Sequence, residues 1–249
     1  MKKLIFTYSA TGLLILALGM AAGAQVKKAK TTKPKPKPAA PAINAATNDE
    51  IVFGLKDALS NGITRAVTEL GRKGGYYDNP RVKIPIPAAL RPVEKTLRVL
   101  KQDDLVDDFV VAMNRAAEQA VQEAVLVFSD SIRQMTIQDA KNILTGEKDA
   151  ATQYFRRTSE EKLREKFLPI VKTSTSEMGV TTQYKQLMQK GGGLAALTGQ
   201  KDFDIDKYVT EKALDGLFLM IADEEKRIRE NPLARTTSIL KKVFGSIIK

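Results

Sequence analysis

The sequence predicts an all-α fold: one multi-helix, bundle-like domain with a single extended, proline-containing strap and no substantial sheet. Three observations carry that prediction. Apolar residues recur every three to four positions through most of residues 49–249. Capping residues and glycines fall at the ends of those periodic runs. The segment that alternates with period two is interrupted by prolines, which remove ladder donors.

Residues 1–24 carry the three parts of a secretory signal peptide: Lys2-Lys3, an apolar stretch centred on residues 13–22, and the small residues Ala22-Gly23-Ala24. Cleavage after Ala24 would leave Gln25 at the new N-terminus of a periplasmic or envelope-associated protein. The alternative is an uncleaved, N-terminally anchored form. Residues 4–24 nearly suffice to span a bilayer, and the six lysines after the stretch, against two before it, favour keeping the arm in the cytoplasm. Residues 25–48 are a Lys/Pro/Ala-rich linker. In Lys33-Pro-Lys-Pro-Lys-Pro38 the prolines hold φ near the polyproline II value and the lysines repel one another, so the piece stays extended. It is either a solvated linker or a cationic tether to anionic lipid or cell wall.

The helical domain occupies residues 49–249. Its first helix, residues 49–70, turns Ile51, Leu55, Ala58, Leu59, Gly62, Ile63, Ala66, Val67 and Leu70 inward; Thr47 or Asn48 can cap it and Gly71 can end it. Turn formers crowd residues 74–80. Val82, Ile84 and Ile86 then alternate with Arg81, Lys83 and Pro85, an apolar clasp laid over helices or the lining of a binding site. Residues 88–100 form a short helix with Pro92 in its first turn. Residues 103–135 read as one long helix with an apolar face from Val106 to Met135. The aspartates at its start suit the helix dipole, and alanines across 116–124 imply close helix approach.

Thr136-Ile137-Gln138-Asp139 caps a helix that Gly146 stops. Residues 150–155 lead to Arg156-Arg157, and Ser159-Glu160-Glu161-Lys162 reads as the start of a new helix that Pro169 kinks. Gly179 and Gly191-Gly192-Gly193 bound a helix containing Tyr184, Leu187 and Met188. The glycine run reads as a linker, because no strand precedes it and no Gly-Lys-Ser/Thr follows. Asp202, Asp204 and Asp206 match the early ligands of a calcium loop, but Lys207 stands where glycine is needed and Ala213 where a bidentate Glu is needed; they read as caps. In the helix over 208–230, Val209, Ala213, Leu217, Met220, Ile221 and Ile228 face inward. Asp223/Arg227, Glu225/Arg229 and Lys226/Glu230 read as ion pairs on its outer side. Gly216 in its middle predicts that a neighbouring backbone passes close by. Asn231-Pro232 starts a last helix with a stripe from Leu233 to Ile247.

Composition excludes several chemistries. The formal net charge is +11, but eight of the 40 basic side chains precede Asp49, leaving 32 against 29 acidic ones, a net of +3, in the domain. Basicity therefore belongs to the arm, and no nucleic-acid partner is expected. With no His and no Cys, zinc sites of the usual kind, the usual haem ligation and thiol catalysis are ruled out. No cofactor, metal or catalytic residue is assigned. The sequence points to no reaction.

Several ordered blocks resemble one exported bacterial family. They include Lys73-Gly-Gly-Tyr-Tyr-Asp-Asn-Pro80 before the Ile-Pro-Ile-Pro strap, Val106-Asp-Asp-Phe109 and Met113-Asn-Arg-Ala-Ala-Glu-Gln119. Others are Met135-Thr-Ile-Gln-Asp-Ala140, Ala151-Thr-Gln-Tyr-Phe-Arg156, Tyr208-Val-Thr-Glu-Lys-Ala-Leu-Asp-Gly-Leu-Phe218, Glu224-Glu-Lys-Arg-Ile-Arg229 and Lys241-Lys-Val-Phe-Gly245. The chain is similar over residues 52–245 to the family catalogued as domain of unknown function 4197. The resemblance implies a single helical domain behind a signal peptide and brings no activity with it.

Three functions compete. The first is a non-enzymatic exported protein acting through a partner protein or the envelope. The second is a helical carrier enclosing a lipid or small hydrophobic ligand. The third is an enzyme using Arg and carboxylates. The polar residues inside the blocks that could serve a ligand are Asn114, Arg115, Glu118, Arg156, Glu211 and Asp215. Asn114 and Glu118 share a helix face, as do Glu211 and Asp215, a spacing that suits an acid and a base but equally suits surface residues paired with Lys207 and Lys212.

Overall fold

A capping box opens the first helix, α1 (Asn48–Gly71): Thr47 Oγ1 accepts from the Glu50 N–H and the Glu50 carboxylate accepts from the Thr47 N–H. This computed structural model describes residues 47–177, 179, 182, 185, 186 and 203–230. The leader, the Lys/Pro arm, the expected helix around Leu187 and Met188, the glycine run and the expected last helix lie outside the described residues.

α1 ends at Gly71, as expected, and the chain doubles back at once. Gly74 has φ of +81°, and a Cβ on Gly75 would stand 2.2 Å from the Leu70 carbonyl oxygen, so only glycine permits this fold-back. The strap follows. Val82, Ile84 and Ile86 are buried while Arg81, Lys83 and Pro85 are exposed, the alternation that the sequence predicts, and residues 83–87 run extended without a ladder partner among the described residues.

A 3-10 turn at Ala88–Leu90 precedes α2 (Arg91–Val99), which therefore starts three residues later than expected and carries Pro92 in its first turn. The expected single helix over 103–135 is instead α3 (Asp103–Ala120), a 3-10 turn at Val121–Glu123, and α4 (Ala124–Gln134). Backbone angles stay right-handed through the turn, so the apolar face continues across it. The tightening lies where the end of α1 arrives: a Cβ on Gly71 would meet Gln122 Cγ at 3.2 Å and Val121 Cγ1 at 3.5 Å. Ala116, Ala117, Ala120 and Ala124 are fully buried beside it, the close approach that small residues permit.

Thr136 and Asp139 form the expected capping box on α5 (Ile137–Thr145), which ends at Gly146. The break expected near residue 158 is absent: α6 (Ala150–Glu177) is continuous. Its Ser/Thr pair does not cap. Thr158 Oγ1 donates back to the Tyr154 carbonyl, and the buried Ser159 hydroxyl bonds Ser131 Oγ of α4 at 2.7 Å. Pro169 sits within the same helix on its exposed side, where water can serve the carbonyl that loses its donor.

α7 (Ile205–Glu230) starts earlier than the 208 expected. Asp204 caps it, as expected, by accepting from the Lys207 N–H at 3.0 Å; Asp206 instead accepts from Thr175 Oγ1 of α6 at 2.6 Å and ties two helices together, and Asp202 lies outside the described residues. α6 and α7 make the most extensive helix–helix contact, with α3 packed on both, α1 on α7, and α4 on α1 and α6. Phe128, Phe155 and Phe218 meet edge to face where α4, α6 and α7 converge. Gly216 marks a close approach as expected, but by side chains: an added Cβ would stand 2.8 Å from Tyr76 Cε1 and 3.1 Å from Val82 Cβ of the strap.

The ion pairs read on the outside of α7 need correction. Asp223 pairs with Arg81 of the strap region instead of Arg227, which takes Glu224. Glu225 and Arg229 do pair, at 2.7 Å, but with Glu225 buried. No described helix is long and apolar enough to cross a membrane.

Candidate functional site

Of the six polar residues singled out from the sequence, the structure brings Asn114, Arg115 and Glu118 together under the strap. α3 carries Asn114 and Glu118 one turn apart on the face over which the strap passes. Asn114 Oδ1 accepts from the Ile84 N–H at 2.8 Å, and its Nδ2 donates to the Ile84 carbonyl at 2.9 Å and to Val110 O at 2.8 Å. One side-chain amide thus replaces the missing neighbour strand, and its burial is complete. Glu118 Oε1 accepts from the backbone N–H groups of Tyr76 and Tyr77 at 3.2 and 3.4 Å, and Arg115 Nε lies 3.9 Å from its other oxygen.

Tyr76 completes the fastening. Its hydroxyl donates to the Ala213 carbonyl of α7 at 2.7 Å. Burial, with the Glu118 charge adding to it, pushes the phenol well above its ordinary value, so it stays a donor. Tyr208 does the same at the far end, donating to Pro85 O at 2.9 Å, with its pKa also raised chiefly by burial.

The other three lie elsewhere. Arg156 stacks over the Phe218 ring at 4.3 Å and pairs with Glu160. Glu211 is held by both ends of the Arg164 guanidinium, at 2.7 and 3.2 Å, and not by Lys207. That contact is the first cause of the raised Arg164 pKa. Asp215 pairs with Lys212 at 2.8 Å on the exposed side of α7. Arg156 and Glu211 therefore join one charged network across α6 and α7, through Glu160 and Arg164.

Beside the strap opens a cleft of about 510 Å³. Its strap wall is Tyr77, Pro80, Lys83, Pro85 and Ile86; its helical wall is Arg91, Glu94 and Arg98 of α2 with Asp107 and Val110 of α3. None of the six sequence candidates lines it. Arg98 gathers its acids, donating to Asp107 at 2.9 Å, Asp103 at 3.1 Å and Glu94 at 3.2 Å; those bonds, Asp107 first, raise its pKa far above the ordinary value. Lys83 Nζ lies 3.8 Å from the Tyr77 ring centroid. Neither Lys83 nor Arg91 has a carboxylate within ion-pair distance among the described residues.

Sequence reasoning missed Glu225. It accepts from the Ala151 and Thr152 N–H groups at 2.9 Å each, from Thr152 Oγ1 at 2.8 Å, and from Arg229. A carboxylate from α7 thereby caps the start of α6 from 73 residues away. The signal was present, since Glu225 stands four residues after Ile221 on the inward stripe of α7. Two core voids near it measure only about 10 Å³ each, room for at most one water.

The sequence model of a family described as "Protein of unknown function (DUF4197)" matches residues 45–245, and the chain belongs to that family. No curated protein and no solved structure matches.

Proposed function

We propose that this member of the DUF4197 family is a non-catalytic binding protein of the cell envelope, exported by its N-terminal leader, and that the cleft beside the strap is the surface it uses. The observation that carries the reading is how the buried polar groups are used. Asn114, Glu118 and Tyr76, with the half-buried Tyr208, all bond the backbone of residues 76–85 or of α7, so they fix the wall of an open cleft. A reacting group needs a free lone pair or proton within reach of substrate, and none of these four side chains lines the cleft. The small core voids favour surface binding over enclosure of a lipid inside the bundle. The leader supplies the export half of the proposal.

A photo-crosslinking amino acid at Glu94, in the full-length chain produced in its own cells, tests both halves. The expected result is envelope-fraction protein that begins at Gln25 and forms a discrete adduct from position 94 but not from Glu147, outside the cleft. Leader-bearing protein in the cytosol overturns the export half, and equal labelling from both positions overturns the cleft. Native mass spectrometry of the purified protein adds a check on enclosure: retained ligand mass that survives blocking of the cleft would restore the carrier reading.

A further inference from the structure

Resting on that reading of the cleft, we infer that its ligand carries a carboxylate on an apolar body, as a free organic acid or as the C-terminal residue of a peptide. The argument starts from the strap's backbone. In an extended chain the N–H groups of residues i and i+2 point the same way. The Ile84 N–H points at α3, where Asn114 accepts it. The Ile86 N–H therefore also points at α3, one helical turn earlier, where Val110 stands. Val110 has no side-chain acceptor, and its carbonyl already takes the Asn114 amide. Among the described residues the Ile86 N–H makes no hydrogen bond. Ile86 is nonetheless 8% exposed and lines the cleft with Val110. An orphan donor on so buried a residue is uncommon and calls for an acceptor from outside the chain.

The charges around that donor select which acceptor. Arg98 occupies the Glu94 and Asp107 carboxylates, which draws the acids of the helical wall together. The cations Lys83 and Arg91, one on each wall, are left without carboxylate partners among the described residues. A backbone N–H with two cations that no carboxylate occupies, one of them resting on the Tyr77 ring, suits one carboxylate, whose two oxygens can take a guanidinium and a further donor. Tyr77, Pro80, Pro85, Ile86 and Val110 offer the remaining surface to an apolar or aromatic body. A phosphate would bring a second negative charge toward Glu94 and Asp107, so the single charge is preferred.

The test is a titration of the full mature chain, ¹⁵N-labelled, followed by amide shifts. The probes are 3-phenylpropionate with 3-phenylpropanol as its uncharged analogue, and an N-acetylated tripeptide ending in Phe with its C-terminal amide. The expected result is a saturable downfield shift of the Ile86 amide with one of the two carboxylates. Its uncharged analogue should bind at least about tenfold more weakly, as for a lost hydrogen bond to a charged group. Arg91→Gln should weaken binding about tenfold and Lys83→Gln a few-fold, while Lys95→Gln, outside the cleft, changes nothing. Binding of the acid alone identifies a small organic acid, and binding of the peptide alone a chain terminus. Equal binding of charged and neutral partners, or no shift at Ile86 with any probe, overturns the inference. Crosslinking from position 94 that persists in that case would leave the cleft as a binding surface for another ligand, so the two failures are distinguishable.

Discussion

Two glutamates, Glu225 and Glu118, tie distant stretches of chain to helices, and they do so differently. Glu225 accepts two N–H groups, a hydroxyl and the Arg229 guanidinium, so both its oxygens are engaged. Glu118 holds two strap N–H groups through one oxygen, at 3.2 and 3.4 Å; its second oxygen has only Arg115, 3.9 Å away. That second oxygen is not among the buried polar atoms left without a partner, so it reaches solvent. The start of α6 is locked by a sealed, fully satisfied network. The strap beside the cleft is fastened neutrally, by Asn114, and by a carboxylate that keeps one side wet. Adaptability belongs on the side where a ligand would be met, and that is where the looser fastening is.

The largest effect should come from cutting the sealed tie. Glu225→Ala removes the cap on α6, takes from Arg229 the carboxylate it pairs with while leaving it the Ile143 carbonyl, and deprives the buried Thr152 hydroxyl of its acceptor. Losing one partner of such a pair costs about 3–5 kcal/mol. Urea unfolding should show that loss, with amide protection falling first at Ala151 and Thr152. A loss under 1 kcal/mol would mean that water replaces the network readily and that the two ties are alike.

That tie also shows what a sequence hides. An i,i+4 Glu–Arg pair reads the same whether it faces water or a core, and Glu225 looked like surface because its partners, Ala151 and Thr152, come from far away in the chain. The strap was legible because Val82, Ile84 and Ile86 alternate with Arg81, Lys83 and Pro85, and burial follows that pattern. Asn114 and Glu118 were legible as a shared helix face, but not as clamps, since 30 and 42 residues separate them from the groups they hold. The helix break expected at Ser159 failed because a hydroxyl can cap locally or bond across a core. Only the neighbouring Ser131 decides which. The cleft was legible only as one of two readings of the strap, the lining of a binding site. Its helical wall was not legible, because Arg91, Glu94, Arg98, Asp107 and Val110 look like ordinary helix residues in the sequence.

The next effect belongs to the strap. Asn114→Ala leaves the Ile84 N–H and carbonyl unpaired in a buried setting, which costs about 1–3 kcal/mol. Hydrogen exchange should rise from Val82 to Ile86 while α6 and α7 stay protected. Uniform loss across all helices would show that the strap is no separate unit and would erase the contrast between the two ties.

A third helix start gives the scale for a cap made in water. The box of Thr136 and Asp139 on α5 is local and exposed, and Thr136→Ala should cost about 1 kcal/mol. The Thr136 hydroxyl and N–H hold the Asp139 pKa below its ordinary value. A carboxyl depressed in the folded state stabilises at pH above its unfolded value, and that contribution disappears as pH falls through the folded one. The difference between wild type and Thr136→Ala should therefore be full at neutral pH and shrink in acid, below the ordinary carboxylate range. A difference that holds steady down to pH 2 would mean that the hydroxyl alone makes the cap.

The smallest effect is the most telling. Glu118→Gln keeps an oxygen for the Tyr76 and Tyr77 N–H groups and places its new NH₂ where the present oxygen meets solvent. No donor is left buried without a partner, so the loss should stay below about 1 kcal/mol. The same exchange at Glu225 turns an NH₂ toward a backbone or side-chain donor whichever way the amide lies, because both oxygens there accept from N–H groups. Chemical unfolding of the two variants side by side decides the matter. If Glu118→Gln proves as damaging as Glu225→Gln, the strap is as tightly sealed as the core, and the cleft wall has no looseness to offer a ligand.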